Sequence, residues 1–185
     1  MITEIYLVRH AHSDYSPDEL GRGLSECGKE AACHGAALLQ REQIEVFISS
    51  PYRRAVETIE GGAKALGLPI IPEEAFKERV LASGPVDHFA ETVEALWKSP
   101  DLALPGGESN LQAQQRGTAA VVQVLQDYKG KRVAVGTHGN IMALIMNCFD
   151  DTYDYEFWKK LSMPDIYKLT FEGKELKDVQ RIWKR

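Results

Sequence analysis

Three short apolar runs in the chain each stop abruptly at polar residues. The runs occupy residues 5–8, 46–48 and 133–135, and none contains a charged side chain. Apolar runs of this length are typical of strands that are buried on both faces, as in parallel sheets. Each of the three strands is therefore predicted to end at a polar edge of the sheet.

Helical spacing of apolar and small residues fills the segments between these strands. It predicts helices over about 25–40, over about 53–66, after Gly107 and over 141–149, with Ser25 as the N-cap of the first. Two more strands are predicted near the end of the chain, where apolar and polar residues alternate. This order of strands and helices predicts an α/β fold in which helices cover both faces of a mostly parallel sheet.

The segment 72–105 is the least regular part of the chain. Within it, apolar residues spaced three to four positions apart from residue 86 to residue 96 predict one amphipathic helix. We interpret the segment as an insertion that lies over the edge of the sheet. No linker, repeat or low-complexity tract interrupts the sequence, so a single domain spanning residues 1–185 is predicted.

Composition and charge exclude several classes of protein. Of the 185 residues, 44% are hydrophobic and 26% are charged, which is the balance of a folded globular chain. The net charge is -5, so no basic surface is expected to attract nucleic acid or an anionic membrane. The three cysteines lack metal-ligand spacing and are interpreted as reduced thiols. Neither a signal peptide nor a membrane-spanning apolar run is evident, so a cytoplasmic location is expected.

Arginine and histidine side chains follow each of the three buried strands. Arg9 and His10 come after the first, Arg53 after the second and His138 after the third. Because ligands of open α/β sheets bind beyond the carboxyl ends of the strands, these side chains are predicted to share one crevice. Guanidinium groups pair with phosphate oxygens, and a neutral imidazole is a nucleophile that an incoming phosphate does not repel. The cluster therefore predicts phosphoryl transfer without a metal or another cofactor.

The motifs around these residues resemble those of the histidine phosphatase superfamily, the phosphoglycerate mutase-like group. Five motifs occur in the family's order, at residues 7–11, 24–28, 49–55, 105–109 and 137–139. Their span, from residue 5 to about 145, covers most of the chain. The resemblance implies a three-layer sandwich with a mostly parallel central sheet.

The resemblance also implies roles for individual residues. His10 matches the family's phosphorylated histidine, Arg9 and Arg53 its phosphate clamp, and His138 its second pocket histidine, while Arg54 is interpreted as a surface charge. The family's proton donor matches Glu78, with Glu108 as the reserve candidate. Further residues are predicted to contact phosphate or substrate, namely Ser16, Gly139, Arg22 and His12.

The predicted function is hydrolysis of a phosphomonoester, a small phosphorylated metabolite, through a phosphohistidine on His10. A phosphoglycerate mutase-type transfer is the main alternative, but the chain is shorter than typical mutases and lacks their arginine-rich insertion. A module that binds a phosphorylated ligand without turnover is a second alternative. A zinc hydrolase with His10, His12 and His138 as ligands is a third, although the neighbouring arginines would repel the metal ion. Neither the physiological substrate nor the oligomeric state follows from the sequence.

Overall fold

A computed structural model describes residues 1–184 of the chain. Its strands are β1 (Ile2–Arg9), β2 (Val46–Ser49), β3 (Ile70–Pro72), β4 (Arg132–Thr137), β5 (Asp165–Glu172) and β6 (Glu175–Arg181). Its helices are α1 (Glu26–Arg41), α2 (Arg53–Ala65), α3 (Phe89–Lys98), α4 (Asn110–Asp127), α5 (Gly139–Phe149) and α6 (Tyr155–Lys160), and a 3₁₀ turn lies at Glu74–Phe76.

The six strands form one sheet in the order β3-β2-β4-β1-β5-β6. The first four of these run parallel to one another, whereas β5 and β6 are antiparallel additions at one side. The sheet has a hydrophobic core on each face. Alternate residues of β1 supply the two cores: Ile5 and Leu7 pack on one side, and Tyr6 and Val8 on the other. The predicted α/β fold, with a mostly parallel sheet covered on both faces, is confirmed.

Two local predictions differ from the structure. The helix predicted from residue 86 begins only at Phe89, because His88 has a left-handed backbone with φ 48° that cannot belong to a right-handed helix. Helix α6 was not predicted, since its six residues are too few to produce an apolar periodicity.

No helix within residues 1–184 combines the length and the apolar character that crossing a membrane requires.

Candidate active site

The register of the parallel strands brings three chain segments together at one edge of the sheet. Arg9 pairs with Thr137 across β1 and β4, and Ser49 pairs with Gly136 across β2 and β4. The pairing continues one residue further, because the His10 amide donates to the Thr137 carbonyl at 3.0 Å. On the other side of β4, the amide of the residue that follows Ser49 donates to the Gly136 carbonyl at 2.9 Å. The backbone itself therefore places His10 next to the end of β4.

His10 is buried, with 7% of its surface exposed, and its ring has one fixed hydrogen bond. Its Nδ1 lies 2.7 Å from the carbonyl oxygen of Ala11. A carbonyl can only accept, so Nδ1 must carry the proton and Nε2 keeps its lone pair. The His10 and His138 ring centroids are 5.1 Å apart, at an interplanar angle of 64°. The available nitrogen of His10 therefore belongs to a cluster that includes His138.

Burial determines the charge of both histidines. Burial lowers the pKa of His10 to about 3, the Ala11 carbonyl opposes this change, and the charges of Arg54, Arg9 and Arg22 add to it. The pKa of His138 is also well below its usual value, first because of burial and then because of His10 and the same arginines. Both rings are therefore neutral at neutral pH, and His10 is a neutral nucleophile surrounded by fixed cations.

His138 occupies the N-cap of α5 and is almost completely buried. Its Nε2 is 2.8 Å from the hydroxyl of Ser50, which comes directly after β2. Its Nδ1 has no hydrogen-bond partner within residues 1–184. The ring of Tyr52 meets the His138 ring edge-on, with 5.1 Å between centroids. Ser50 and Tyr52 thus orient His138, and sequence reasoning assigned neither of them a role although both lie in the 49–55 motif.

Arg9 is held by the polypeptide backbone on the opposite side of the cluster. Its Nη1 donates to the carbonyls of Leu161 and Ser162, at 3.0 and 3.2 Å, and its Nε is buried without a partner in the described part of the chain. Gly139, the first residue of α5, lies against this guanidinium. A β-carbon at position 139 would stand 2.8 Å from Arg9 Nε, which is too close for an ordinary contact. Glycine at this position therefore allows Arg9 to approach the start of α5.

The prediction that Arg53 faces the cluster is corrected by the structure. The Arg53 side chain is 63% exposed and forms an ion pair with Glu57, at 2.6 Å, on the outer face of α2. Its neighbour Arg54, interpreted from the sequence as a surface charge, is 3% exposed instead. Arg54 lies 4.8 Å from the centre of the Tyr52 ring, and its charge lowers the pKa of His10. Consecutive helical residues point about 100° apart, so only one of the two arginines can face inward.

Arg54 shares an acidic partner with Arg22. Glu19 accepts from Arg54 through its backbone carbonyl, at 2.7 Å, and through its carboxylate, at 3.1 Å. The same carboxylate is 3.3 Å from Arg22. Only 17% of the Arg22 side chain is exposed, and its charge lowers the pKa of both histidines. The structure therefore places Arg22 with the cluster, as the sequence weakly suggested.

Ser16 and His12 make local contacts instead of joining the cluster. The Ser16 hydroxyl accepts from the Asp18 amide at 3.2 Å and so stabilises a turn. His12 is exposed, and its Nδ1 lies 2.8 Å from the hydroxyl of Ser25, the N-cap of α1. Across residues 1–184, no three His, Cys, Asp or Glu side chains converge on a point where they could hold a metal ion. The zinc alternative, which required His12 to turn towards His10, therefore lacks its ligand set.

The two candidate proton donors have different surroundings. Glu78 lies at the N-terminus of α5, where its carboxylate accepts from the amides of Asn140 and Ile141, each at 2.9 Å. Glu108 instead forms a two-pronged ion pair with Arg116, with both contacts at 2.8 Å. Arg116 also donates to two backbone carbonyls next to the 3₁₀ turn, so this pair braces the insertion. The structure therefore places the carboxylate of Glu78, and not that of Glu108, at the N-terminus of the helix that His138 caps.

Acid is expected to destabilise the protein through these buried neutral histidines. In the unfolded chain His10 gains a proton below about pH 6.5, whereas the folded protein keeps its ring neutral until about pH 3. When the pH falls from about 7.5 to about 5.5, this difference should lower the unfolding free energy by about 1.4 kcal/mol. Urea unfolding at the two pH values should show that the unfolding free energy of His10→Gln falls by about 1.4 kcal/mol less than that of the wild type. The exposed His88→Asn should match the wild type, and equal pH dependence of all three proteins would contradict the expectation.

Comparison with known proteins agrees with the sequence motifs. The profile of the histidine phosphatase superfamily (branch 1) matches residues 5–181. A metal-independent phosphoserine phosphatase of Arabidopsis thaliana is 32% identical over 160 residues, which cover 78% of this chain and 67% of that protein. The family profile thus extends over all the residues of the cluster.

Two solved structures have the same fold. A mycobacterial glucosyl-3-phosphoglycerate phosphatase matches with a TM-score of 0.77, covering 98% of this chain and 97% of that one at 20% identity. A phosphoserine phosphatase mutant of Entamoeba histolytica, solved in complex with phosphoserine, matches with a TM-score of 0.76, covering 96% of each chain at 16% identity. The chain belongs to the histidine phosphatase superfamily and is an enzyme of the phosphatase class.

Proposed function

We propose that this protein hydrolyses a phosphomonoester through a phosphohistidine formed on His10, without a metal ion. One observation carries the proposal: a buried, neutral His10 has its Nδ1 engaged by the Ala11 carbonyl, which leaves Nε2 as the nucleophile. Arg9, Arg54 and His138 belong to the same cluster as His10 and offer donors for phosphate oxygens. Phosphoryl transfer requires positioning and charge stabilisation, and such a pocket supplies both.

In the first half of the reaction, Nε2 of His10 attacks phosphorus and the bond to the leaving oxygen breaks. The imidazole becomes positively charged as the N–P bond forms, and the Nδ1–H···O=C contact with Ala11 strengthens as it does so. The guanidinium groups of Arg9 and Arg54 bind the equatorial oxygens. Glu78 enters the reaction as the carboxylic acid and gives its proton to the leaving oxygen, so that the leaving group departs as an alcohol and Glu78 becomes a carboxylate.

In the second half, water replaces the alcohol. The Glu78 carboxylate takes a proton from the water as its oxygen attacks phosphorus, and the N–P bond breaks. His10 recovers its neutral form, and inorganic phosphate is released. The net reaction converts an ester and one water into an alcohol and phosphate, and it returns every residue to its starting state.

The insertion at 72–105 covers this site. It contributes Glu78 through its contacts with α5, and Arg116 of α4 donates to the carbonyls of Ala75 and Lys77 in the insertion. We propose that it belongs to a single domain with the rest of the chain. The relatives named above act on phosphoserine or on glucosyl-3-phosphoglycerate, which supports a small phosphorylated substrate for this chain as well.

Trapping the covalent intermediate tests the proposal. The enzyme is mixed with ³²P-labelled p-nitrophenyl phosphate, quenched in alkali within milliseconds and digested for mass spectrometry. We expect label on His10 that is stable to alkali and lost in acid, together with a burst of p-nitrophenol. His10→Ala should carry no label. Label on a serine, or full turnover by His10→Ala, would overturn the proposal.

A further inference from the structure

A cavity of about 450 Å³ lies next to the catalytic cluster and shares Arg54 with it. Arg54, Glu78 and Tyr52 all line this cavity, so the leaving group of a bound ester would extend into it. Its volume lies within the range of ordinary small-molecule sites, about 300–1,000 Å³. Apart from the residues of the cluster, much of the wall is apolar, being formed by Tyr15, Val80, Leu81, Ala82, Val86 and Phe89.

Several apolar side chains at this cavity are unusually exposed. Tyr15 is 86% exposed, Phe89 56% and Val80 50%. One exposed apolar residue needs no explanation, but three around one opening form a contiguous apolar surface of the kind that marks a ligand groove. These apolar side chains are therefore exposed to solvent in the free enzyme, and a ligand in this cavity would bury them.

The position of Phe89 extends the apolar face of α3 beyond the core. Val93 and Leu96 on this helix are each 1% exposed and belong to the core. Phe89 precedes them by four and seven residues, so it lies on the same face of the helix. Phe89 is the first residue of α3, and its side chain lies at the cavity and not in the core.

Most of the charged groups in the cavity wall already have partners. Arg54 and Glu19 bind each other, and the carboxylate of Glu78 accepts from backbone amides. Arg79 is the exception: it is buried, with 8% of its surface exposed, and its Nε and one Nη have no hydrogen-bond partner within residues 1–184. Apart from Arg79, the charged groups leave few donors or acceptors for the many hydroxyls of a sugar, whereas hydrocarbon would be buried favourably against the apolar wall.

We propose that the substrate is a phosphomonoester whose leaving group is an apolar hydrocarbon body. This inference rests on the proposed function, because it assumes that the phosphoryl group is held by the His10 cluster. The apolar body packs against Phe89, Val80 and Tyr15 while the ester oxygen faces Glu78. This substrate class differs from the polar phosphoserine and glucosyl-3-phosphoglycerate of the relatives.

A series of n-alkyl phosphates tests the inference directly. Butyl, hexyl and octyl phosphate have nearly the same leaving-group reactivity, so differences in kcat/KM report binding of the chain. Each added methylene that is buried should raise kcat/KM by about 2- to 4-fold. Phosphoserine and glycerol phosphate should be hydrolysed more slowly than octyl phosphate. All esters are kept below their micelle concentrations.

Variants locate the contact within the molecule. Phe89→Ser and Val80→Ser should each reduce the ratio of kcat/KM for octyl over butyl phosphate. Leu102→Ser removes a side chain of similar exposure, 49%, in the loop after α3 and outside the cavity wall, so it should retain the wild-type ratio. Thermal unfolding of each variant checks that it is folded.

The possible outcomes separate this inference from the proposed function. Equal kcat/KM for all alkyl esters, with His10→Ala inactive on each, would overturn the substrate class and leave the phosphohistidine mechanism intact. A chain-length preference that Phe89→Ser and Val80→Ser do not alter would overturn the location. Failure of the wild type to hydrolyse any ester would overturn both proposals.

Discussion

Replacing Arg54 with alanine is expected to lower kcat/KM for phosphomonoesters by about 10³-fold, whereas replacing Arg53 is expected to change it by less than about 3-fold. Arg54 is buried beside His10 and Tyr52, where a positive charge can stabilise the equatorial oxygens of the transition state. Arg53 is exposed and bound to Glu57, on the other side of the same helix turn. An exposed pair of this kind contributes little to stability or activity.

Steady-state kinetics on p-nitrophenyl phosphate for the two alanine variants and for Arg54→Lys would measure the difference. Lysine keeps the charge but loses the two-pronged geometry of guanidinium, so Arg54→Lys should recover only part of the activity. Each variant removes one arginine from the first turn of α2, and Arg53→Ala is therefore a matched control for effects on the helix. Loss of activity in Arg53→Ala with normal activity in Arg54→Ala would show that Arg53, and not Arg54, binds the phosphoryl group.

The sequence contained a signal that distinguishes these two arginines. Arg53 is four residues before Glu57, and the face that they share continues through Glu60 and Lys64, all of them charged. Arg54 is instead four residues before Thr58, which is buried on the inner face of α2. Extending the helical period back into the first turn would have placed Arg54 inside, because the periodicity of a helix applies to its first turn as well.

The fold was predictable because burial leaves a direct mark on the sequence. The run at residues 5–8 contains no charged residue because β1 packs against a core on both faces. The ends of β1 and β4 could also be predicted to meet, since the carboxyl ends of adjacent parallel strands share an edge. His10, Arg9 and His138 lie at the ends of those strands, and the structure brings them together as expected.

The insertion could not be derived in the same way. The position of Glu78 depends on hydrogen bonds to amides at the start of α5, which are about 60 residues away along the chain and leave no periodic pattern. The left-handed backbone of His88 delays α3 until Phe89, and nothing in the residue type requires that conformation. Contacts over such a distance follow from tertiary packing and not from local sequence.

Glu78→Gln is expected to lower kcat for alkyl phosphates by about 10²- to 10⁴-fold, because an alkoxide is a poor leaving group without a proton donor. The formation of the phosphoenzyme from p-nitrophenyl phosphate should be much less affected, since p-nitrophenolate leaves without a proton. Glu108→Gln is the matched control, because it also removes a carboxylate near the insertion. It should retain kcat within about 3-fold, because Arg116 keeps its hydrogen bonds to the Ala75 and Lys77 carbonyls.

The dependence on the leaving group separates proton donation from a structural role for Glu78. The Glu78→Gln variant loses one acceptor for the amides of Asn140 and Ile141, so some loss of stability at the start of α5 is expected and is measured by thermal unfolding. A purely structural defect would slow all esters by the same factor, whatever their leaving group. If Glu78→Gln slowed phosphoryl transfer from alkyl and from p-nitrophenyl phosphate equally, or if Glu108→Gln alone showed the selective loss, Glu78 would not be the proton donor. A selective loss in Glu78→Gln would assign the proton to a carboxylate that the fold fixes at the start of α5, next to His138, and in the wall of the apolar cavity.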